Sequence, residues 1–437
     1  MKDVNHMSKH EAPRRRRSAA KRRARTQYLW TAVSVLVLAL LCLACLPKFL
    51  PGGSVPVAGA DSSSEPVSGA APAESEPAEP EKEPEPVVQI VRFSATGDDL
   101  IHSPIYKQAK RRASGSEAYS FDYCSEHIAP FYAQQDVNWI HQETLCNDEI
   151  EPSSYPSFST PGDCARALYR AGVRVFSLSN NHTYDKGAAG IAATLRFWES
   201  MPEDVVTTGL WRGTDDYSRI PMQTINGVTI AYLSYTEHTN GIPQSSAMTA
   251  NVIYTSQTDA IEQQVRAAKQ AADFVVVGVH WGVENSHAIT DSQRQLAQQL
   301  ADWGADLIVG THPHVLQDAQ WLTAQDGRQV FTAYSLGNFI STQNKPDQLV
   351  GAILTAQFQK TTNPDGTVRT AVLMPELHPT VTHYDAGKSN VRTYLLCDYT
   401  QELARQHGVR AEYSNFSLDT DWEIAQNNIS ADFLALT

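Results

Sequence analysis

Along this chain, short apolar runs repeatedly end at polar side chains that can bind metal, and this pattern limits the folds that the sequence can adopt. Runs typical of strands cover residues 88–95, 173–178, 274–279 and 306–309, with helical patterns between them. The polar residues that follow these runs are Asp98, Asn181, His182, His280, His312 and His314. A single histidine after a strand is more often a hydrogen-bonded loop residue. Because ligands bind at the carboxyl ends of strands in α/β sheets, four such endings favour one shared site.

The segments around these runs predict the rest of an α/β domain. Helical spacing covers residues 164–171, 188–199, 259–272 and 292–303, and a further strand is predicted at 228–235. Turn residues at Asp326-Gly327 and Asp365-Gly366 predict antiparallel hairpins, the second joining residues 351–358 to 367–374. Apolar strands that alternate with helices indicate a parallel or mixed sheet buried on both faces.

The N-terminal part of the chain has the pattern of a membrane anchor. Residues 1–27 carry ten basic and two acidic residues, and residues 28–46 contain no charge. A helix of that length spans roughly 28 Å, about the thickness of a bilayer's hydrocarbon core. We therefore predict a basic cytoplasmic segment at 1–27 and a single transmembrane helix at 28–46 that places the remainder outside the cell. A cleaved signal peptide or a lipoprotein site at Cys45 is the alternative, although this apolar run is long for a signal peptide.

Composition separates a linker from the folded domain. Residues 47–87 are rich in Pro, Glu, Ser, Ala and Gly, a composition that favours an extended stalk. The domain predicted at 88–437 holds 38 acidic and 23 basic residues, which argues against nucleic acid as a partner. Its four cysteines (Cys124, Cys146, Cys164 and Cys397) allow three disulfide pairings, and their spacing does not choose among them.

Six short motifs between residues 90 and 345 occur in an order typical of one family. They are Gly97-Asp98, Gln142-Glu143-Thr144, Ser179-Asn180-Asn181-His182, His280-Trp281-Gly282, Gly310-Thr311-His312-Pro313-His314 and Ser335-Leu336-Gly337-Asn338-Phe339. In this order the chain resembles the CapA-type poly-γ-glutamate capsule biosynthesis proteins, which are related to calcineurin-like metallophosphoesterases. The resemblance implies a four-layer α/β/β/α sandwich. It also implies poly-γ-glutamate and capsule-synthesis membrane proteins as partners.

The resemblance further implies a site for two divalent metal ions. Asp98 would be a ligand of the first metal and Glu143 the bridging carboxylate, with Asn181, His280, His312 and His314 as the other ligands. His182 resembles the residue that steadies the leaving group or transition state. A mixed set of oxygen and nitrogen ligands suits Mn, Fe or Zn.

Two departures from the family pattern leave residues without a defined role. His141 stands where the family usually has Asn, directly before Gln142-Glu143. Leu100 occupies the position of a phosphoesterase histidine, while His102 lies two residues further along. His102 is therefore either a ligand or a neighbour of the site.

Glu284 follows His280 by four residues and is a second catalytic candidate. It would orient that ligand or carry a proton, and the alternative is a surface charge. Asn338 is expected to belong to a tight turn rather than to bind metal. Two functions remain open: a metallohydrolase acting on a phosphoester or γ-glutamyl amide, and a polymer-handling component that turns nothing over.

Overall fold

The structure is a computed structural model that describes residues 85–437 of the chain. The predicted basic segment at 1–27, the anchor at 28–46 and nearly all of the linker at 47–87 lie outside the described residues. Within residues 85–437, no helix is both long enough and apolar enough to cross a membrane.

The described residues form strands, helices and two short 3₁₀ helices. The strands are β1 Val87–Asp99, β2 Val137–His141, β3 Cys146–Asn147, β4 Thr160–Pro161, β5 Val173–Ser177, β6 Val206–Thr208, β7 Met222–Ile225, β8 Val228–Thr236, β9 Phe274–His280, β10 Leu307–Thr311, β11 Leu316–Thr323, β12 Gln329–Leu336, β13 Asn338–Ile340, β14 Val350–Thr362, β15 Val368–Asp385 and β16 Ser389–Leu395. The helices are α1 Ser103–Arg112, α2 Asp122–Ser125, α3 Ala129–Tyr132, α4 Asp163–Ala171, α5 Gly187–Glu199, α6 Thr258–Ala271, α7 Asp291–Trp303, α8 Pro346–Leu349, α9 Gln401–Gln406 and α10 Leu418–Asn428; the 3₁₀ helices are Thr214–Ser218 and Gly408–Ala411.

The larger sheet joins parallel strands to a long antiparallel extension. Its order is β16-β15-β14-β1-β2-β5-β6, and β13 pairs in parallel with the end of β1. The strands β1, β2, β5 and β6 are parallel, whereas β14, β15 and β16 are antiparallel to their neighbours. The predicted hairpin around Asp365-Gly366 forms the β14–β15 connection.

The smaller sheet has the order β11-β12-β10-β9-β8-β7. Its four central strands are parallel, and the edge strands β7 and β11 are antiparallel to their neighbours. On one face, Val275 and Val277 pack with Ile261 of α6 and Leu300 of α7 in an apolar core. The N-terminus of α7 is fixed by a capping box between Thr290 and Gln293.

The two sheets pack against each other. The ring of Phe274 from the smaller sheet stacks on Phe358 of the larger sheet at 4.7 Å between centroids. Ser177 and Ser234 hydrogen-bond across the same interface at 2.6 Å. A helix, α4, packs on β5 of the larger sheet. The predicted α/β class is confirmed.

The strand pairing brings the predicted ligand positions to one edge of this interface. Asp98 pairs with His141 across β1 and β2, and His280 pairs with Thr311 across β9 and β10. β1 runs parallel to β2, and β9 runs parallel to β10, so the carboxyl ends within each pair lie side by side.

Candidate metal centre

Asp98 is held at the centre of the site because the backbone of Gly97, directly before it, lies unusually close to the backbone of Gly337. A Cβ atom on Gly97 would lie 2.0 Å from the carbonyl oxygen of Gly337, so only glycine fits there. The Asp98 N–H donates to that same carbonyl at 3.0 Å. Its buried carboxylate accepts from the His312 N–H at 3.3 Å and lies 3.1 Å from Nδ1 of His314.

Glu143 is a fully buried carboxylate, and neither of its oxygens has a hydrogen-bond partner among the described residues. Its Oε1 atom lies 3.6 Å from Nε2 of His314 and 3.9 Å from Nε2 of His280. Burial raises the pKa of Glu143 well above its usual range, although His314 opposes this effect. A buried carboxylate without partners, surrounded by imidazole nitrogens, fits a bound cation.

His314 is held in place by two oxygen atoms. Its Nδ1 lies 3.1 Å from Oδ2 of Asp98 and 3.1 Å from Oδ1 of Asn338, which leaves Nε2 facing Glu143. The Asn338 amide is fixed in turn, donating to the Gln348 carbonyl at 2.9 Å. Burial lowers the pKa of His314, but Glu143 and Asp98 outweigh it and raise the pKa to about 10. Asn338 therefore orients a candidate ligand.

His280, Asn181 and His312 form a second group of close polar contacts. The Nε2 atom of His280 lies 3.1 Å from Oδ1 of Asn181 and 3.0 Å from Nδ1 of His312. On its other side, Nδ1 of His280 lies 3.1 Å from the Thr311 hydroxyl. Burial lowers the pKa of His280 well below its usual value and that of His312 to about 3. Both imidazoles are neutral near pH 7, the state in which histidine binds metal.

His141 is a candidate ligand that the sequence motifs did not identify. Its Nδ1 lies 3.1 Å from the Ser177 hydroxyl, its Nε2 has no hydrogen-bond partner in the described chain, and its ring stacks on His280 at 4.8 Å. Burial lowers its pKa to about 4. Its only sequence signal was the replacement of the Asn that the family pattern has at this position.

Two sets of side chains meet the spacing needed for a metal ion. The ligand atoms within each set lie within 4.8 Å of one another. One set is Asp98, Glu143 and His314, and the other is Asp98, His141 and His280. Asp98 belongs to both sets, whereas the sequence motifs implied that Glu143 would bridge two ions. Asn181 and His312 reach the second set through their contacts with His280.

His182 lies beside these sets and is paired with a carboxylate. Its Nδ1 is 2.8 Å from Oδ2 of Asp185 and 3.4 Å from the side-chain nitrogen of Asn240. The Phe158 ring packs edge-on against it at 4.7 Å. This pairing fixes the imidazole and leaves Nε2 as the atom able to carry a proton.

Two other predicted residues lie at the margin of the site. The Nδ1 atom of His102 accepts from the Thr342 N–H at 3.3 Å, and burial lowers the pKa of His102 to about 4. Glu284 is exposed, and the Thr311 hydroxyl, rather than Glu284, contacts Nδ1 of His280.

The loop after β8 adds His238, an exposed residue whose ring centroid lies 5.1 Å from that of His312. The sequence carried no signal for this residue.

Residues 92–343 match the family described as "Bacterial capsule synthesis protein PGA_cap". The chain is 29% identical over 292 residues to "PGA biosynthesis protein CapA" of Bacillus subtilis (strain 168), covering 66% of this chain and 72% of the relative. It is 32% identical over 242 residues to "Capsule biosynthesis protein CapA" of Bacillus anthracis. That match covers 52% of this chain and 55% of the relative.

Two solved structures show weaker similarity. NAD nucleotidase (NadN) of Haemophilus influenzae is 12% identical with a TM-score of 0.37, covering 80% of this chain and 64% of that one. The calcineurin-like phosphoesterase YfkN of Bacillus subtilis is 13% identical with a TM-score of 0.38, covering 77% of this chain and 99% of that one. Scores this low do not establish a shared fold.

Proposed function

Because this chain belongs to the bacterial capsule synthesis protein PGA_cap family, we propose that it acts in the synthesis or export of a poly-γ-glutamate capsule. The names of the two relatives support this role. The proposal includes a membrane anchor at residues 28–46, an extracellular domain with a metallophosphoesterase-like four-layer sandwich, and partners among the capsule-synthesis membrane proteins.

The proposed site holds two divalent transition-metal ions, which would be Mn, Fe or Zn. The observation that carries this proposal is Glu143, a fully buried carboxylate between His280 and His314 whose two oxygens have no hydrogen-bond partner in the part of the chain that the structure describes. The residues that would hold the ions are Asp98, Glu143, Asn181, His280, His312 and His314, with His141 as an added candidate. Thiolates are absent from this set, which agrees with a preference for these metals over softer ions.

Metal ions bound here would lower the pKa of a bound water and polarise a phosphoryl or acyl oxygen, as in other two-metal hydrolases. His182 would then hold or deliver a proton at Nε2, since Nδ1 is committed to Asp185. The Phe158 ring restricts the motion of His182 and excludes water from one side of it. We therefore propose hydrolysis of a phosphoester or of a γ-glutamyl amide, with His182 as the catalytic residue.

The test is metal analysis of the purified full-length protein, with turnover assays on a phosphodiester and on poly-γ-glutamate. We expect about two ions per chain. The double variant His312→Ala/His314→Ala should lose one or both ions. His127→Ala/His287→Ala, which removes two histidines outside the site, should keep them. An unchanged metal content in the first variant would contradict the proposal. Bound metal with no turnover of either substrate would favour polymer handling without catalysis.

A further inference from the structure

The helix α1 carries exposed cations that the proposed hydrolysis does not use. Lys107, Lys110 and Arg111 follow one another at helical i, i+3 and i+4 spacing, so they lie on the same face. All three are exposed, whereas Ile105 and Ala109 on the other face are buried. We refer to Lys107, Lys110 and Arg111 as the basic stripe.

Within the described part of the chain, the basic stripe has no acidic partner. Across residues 85–437, no carboxylate oxygen lies within 4.0 Å of its charged nitrogens, and α1 itself contains no Asp or Glu. Some exposed arginines of the domain are paired, such as Arg196 with Glu149, whereas Arg294 and Arg369 have no ion pair within residues 85–437. Like charges one helical turn apart weaken a helix. Cations near a helix C-terminus offset the helix dipole, which accounts for Lys110 and Arg111 but leaves Lys107 in mid-helix unexplained.

The N-terminal end of α1, the helix that carries the basic stripe, lies at the margin of the candidate metal centre. The N-terminal cap of α1 is His102, whose ring packs on Phe158 at 5.5 Å, and Phe158 packs in turn against His182. Lys388 adds a cation next to this path, because its ammonium donates to the Thr342 carbonyl at 2.6 Å while the Thr342 N–H donates to His102. Lys107 lies five residues after His102, about 8 Å along the helix axis, and Lys110 and Arg111 lie farther along the same helix.

The helix that presents the basic stripe is held rigidly against the domain. Gln108 donates to the Val391 carbonyl at 2.7 Å and accepts from the Val391 N–H at 2.8 Å. The Arg112 guanidinium stacks on the Tyr123 ring at 3.6 Å and donates to Asn390 at 2.8 Å. Arg112 therefore anchors the end of α1. Lys107 and Arg111 make no side-chain hydrogen bond or ion pair within residues 85–437, whereas Lys110 lies over the Tyr119 ring at 5.9 Å and stays exposed.

We propose that the basic stripe and Lys388 bind a linear polycarboxylate, poly-γ-glutamate, and guide it to the metal centre. The choice of polymer rests on the proposed function, while the track itself rests on the geometry of α1. A flexible chain with one carboxylate per repeat matches a row of flexible cations on a rigid helix. A local row of this kind also allows a domain of net negative charge to hold a polyanion.

The test compares two variants of the full-length protein that lose the same charge. The first is Lys107→Gln/Lys110→Gln/Arg111→Gln. The control is Arg294→Gln/Arg369→Gln/Arg405→Gln, which alters exposed arginines outside α1. Binding of poly-γ-glutamate is measured by titration at two salt concentrations, together with metal content and thermal unfolding. We expect the first variant to bind roughly fivefold or more weakly than wild type and to respond less to salt.

The control variant should bind like the wild type, and both variants should keep the wild-type metal content. Equal weakening in the two variants would overturn the proposal, because it would indicate a general effect of net charge. Wild-type binding in the first variant would also overturn it. So would binding of the stripe to vesicles containing phosphatidylglycerol with none to poly-γ-glutamate. A wild-type protein that contains no metal would instead contradict the proposed function. Metal analysis detects that failure, and the polymer titration detects failure of the basic stripe, so the two are distinguishable.

Discussion

Oε1 of Glu143 lies 3.6 Å from Nε2 of His314, and both side chains are buried. His314 has oxygen partners on Nδ1, whereas neither side-chain oxygen of Glu143 has a hydrogen-bond partner within residues 85–437. Within this pair, the Glu143 carboxylate can therefore still accept a bond from a cation. In the metal-free protein, the proton on His314 is the nearest source of positive charge for Glu143, so metal and proton compete for this position.

The first prediction is that Glu143→Gln has different effects with and without metal. In chelator-treated protein, the amide replaces a buried carboxylate that has no hydrogen-bond partner among the described residues. The free energy of unfolding should therefore stay the same or rise by about 1 kcal/mol. In metal-loaded protein, the variant should bind at least one ion fewer and lose the stabilisation that this ion provides. Thermal unfolding with and without chelator measures both effects, and equal stabilisation of variant and wild type by metal would contradict the assignment.

The second prediction concerns the stability of the metal-free protein at alkaline pH. The pKa of His314 is about 10 in the folded chain, against an ordinary value of 6.5. Because folding raises this pKa, the stability that it contributes is fully present below pH 6.5 and is lost as the pH rises towards 10. Chelator-treated wild type should therefore become less stable between pH 7 and 10, and His314→Gln should lose most of that slope. His127→Gln, at an exposed position outside the site, is the control and should keep it.

The third prediction tests His141 as a ligand. His141→Ala should reduce the metal content from about two ions to about one, because His141 is one of the three residues of the second set. His102→Ala is the matched control, since His102 belongs to neither set and accepts from the Thr342 N–H. Metal analysis of both variants decides the question. Two ions retained in His141→Ala would show that its imidazole only packs against His280.

Much of the fold could be predicted because its central strands are continuous apolar runs. The strands β5, β8, β9 and β10 lie where the sequence placed them, as do the helices α4, α5, α6 and α7. β2 was not predicted, because its sequence Val-Asn-Trp-Ile-His interrupts the apolar pattern with Asn138 and ends at His141. In the folded chain the Asn138 amide donates to the Tyr132 and Gly172 carbonyls and its oxygen accepts from Ser94. Gly172 and Ser94 lie 34 and 44 residues from Asn138, and partners so distant in sequence leave no local signal.

The distinction between local patterns and long-range contacts also explains which parts of the site the sequence could predict. Asp98, Asn181, His280 and His312 follow recognisable strands, so their proximity was predictable from strand order. The contact of Asn338 with His314 depends instead on β13 returning beside β1, and the Thr311 contact with His280 depends on strand register. Glu284 was singled out by spacing alone, and the loop that carries it places it at the surface.

The fourth prediction concerns topology, which rests on residues outside the described range. If residues 28–46 are an uncleaved anchor, the domain at 88–437 lies outside the cell on a stalk that proteases can cut. Protease added to intact cells should release a soluble fragment of roughly the size of that domain. A cytoplasmic marker protein measured in the same samples should remain uncut. Recovery of the intact, protected chain would rule out this topology.

The fifth prediction separates catalysis from polymer binding and depends on His182. The imidazole is fixed by Asp185 at 2.8 Å and lies beside the candidate ligand sets, so its removal should leave metal binding nearly intact. If the protein is a hydrolase, His182→Ala should keep its metal and lose roughly 10²–10⁴ in rate, the usual contribution of a positioned proton donor or charge stabiliser. Asp185→Asn keeps an acceptor near Nδ1 but removes its charge, so we expect a smaller loss of rate and a shifted pH profile.

Capsule formation measured for His182→Ala beside Asp98→Ala then decides between the two functions. Severe defects in both, with metal retained in His182→Ala, would support hydrolysis, whereas a wild-type capsule in His182→Ala would eliminate it from capsule assembly.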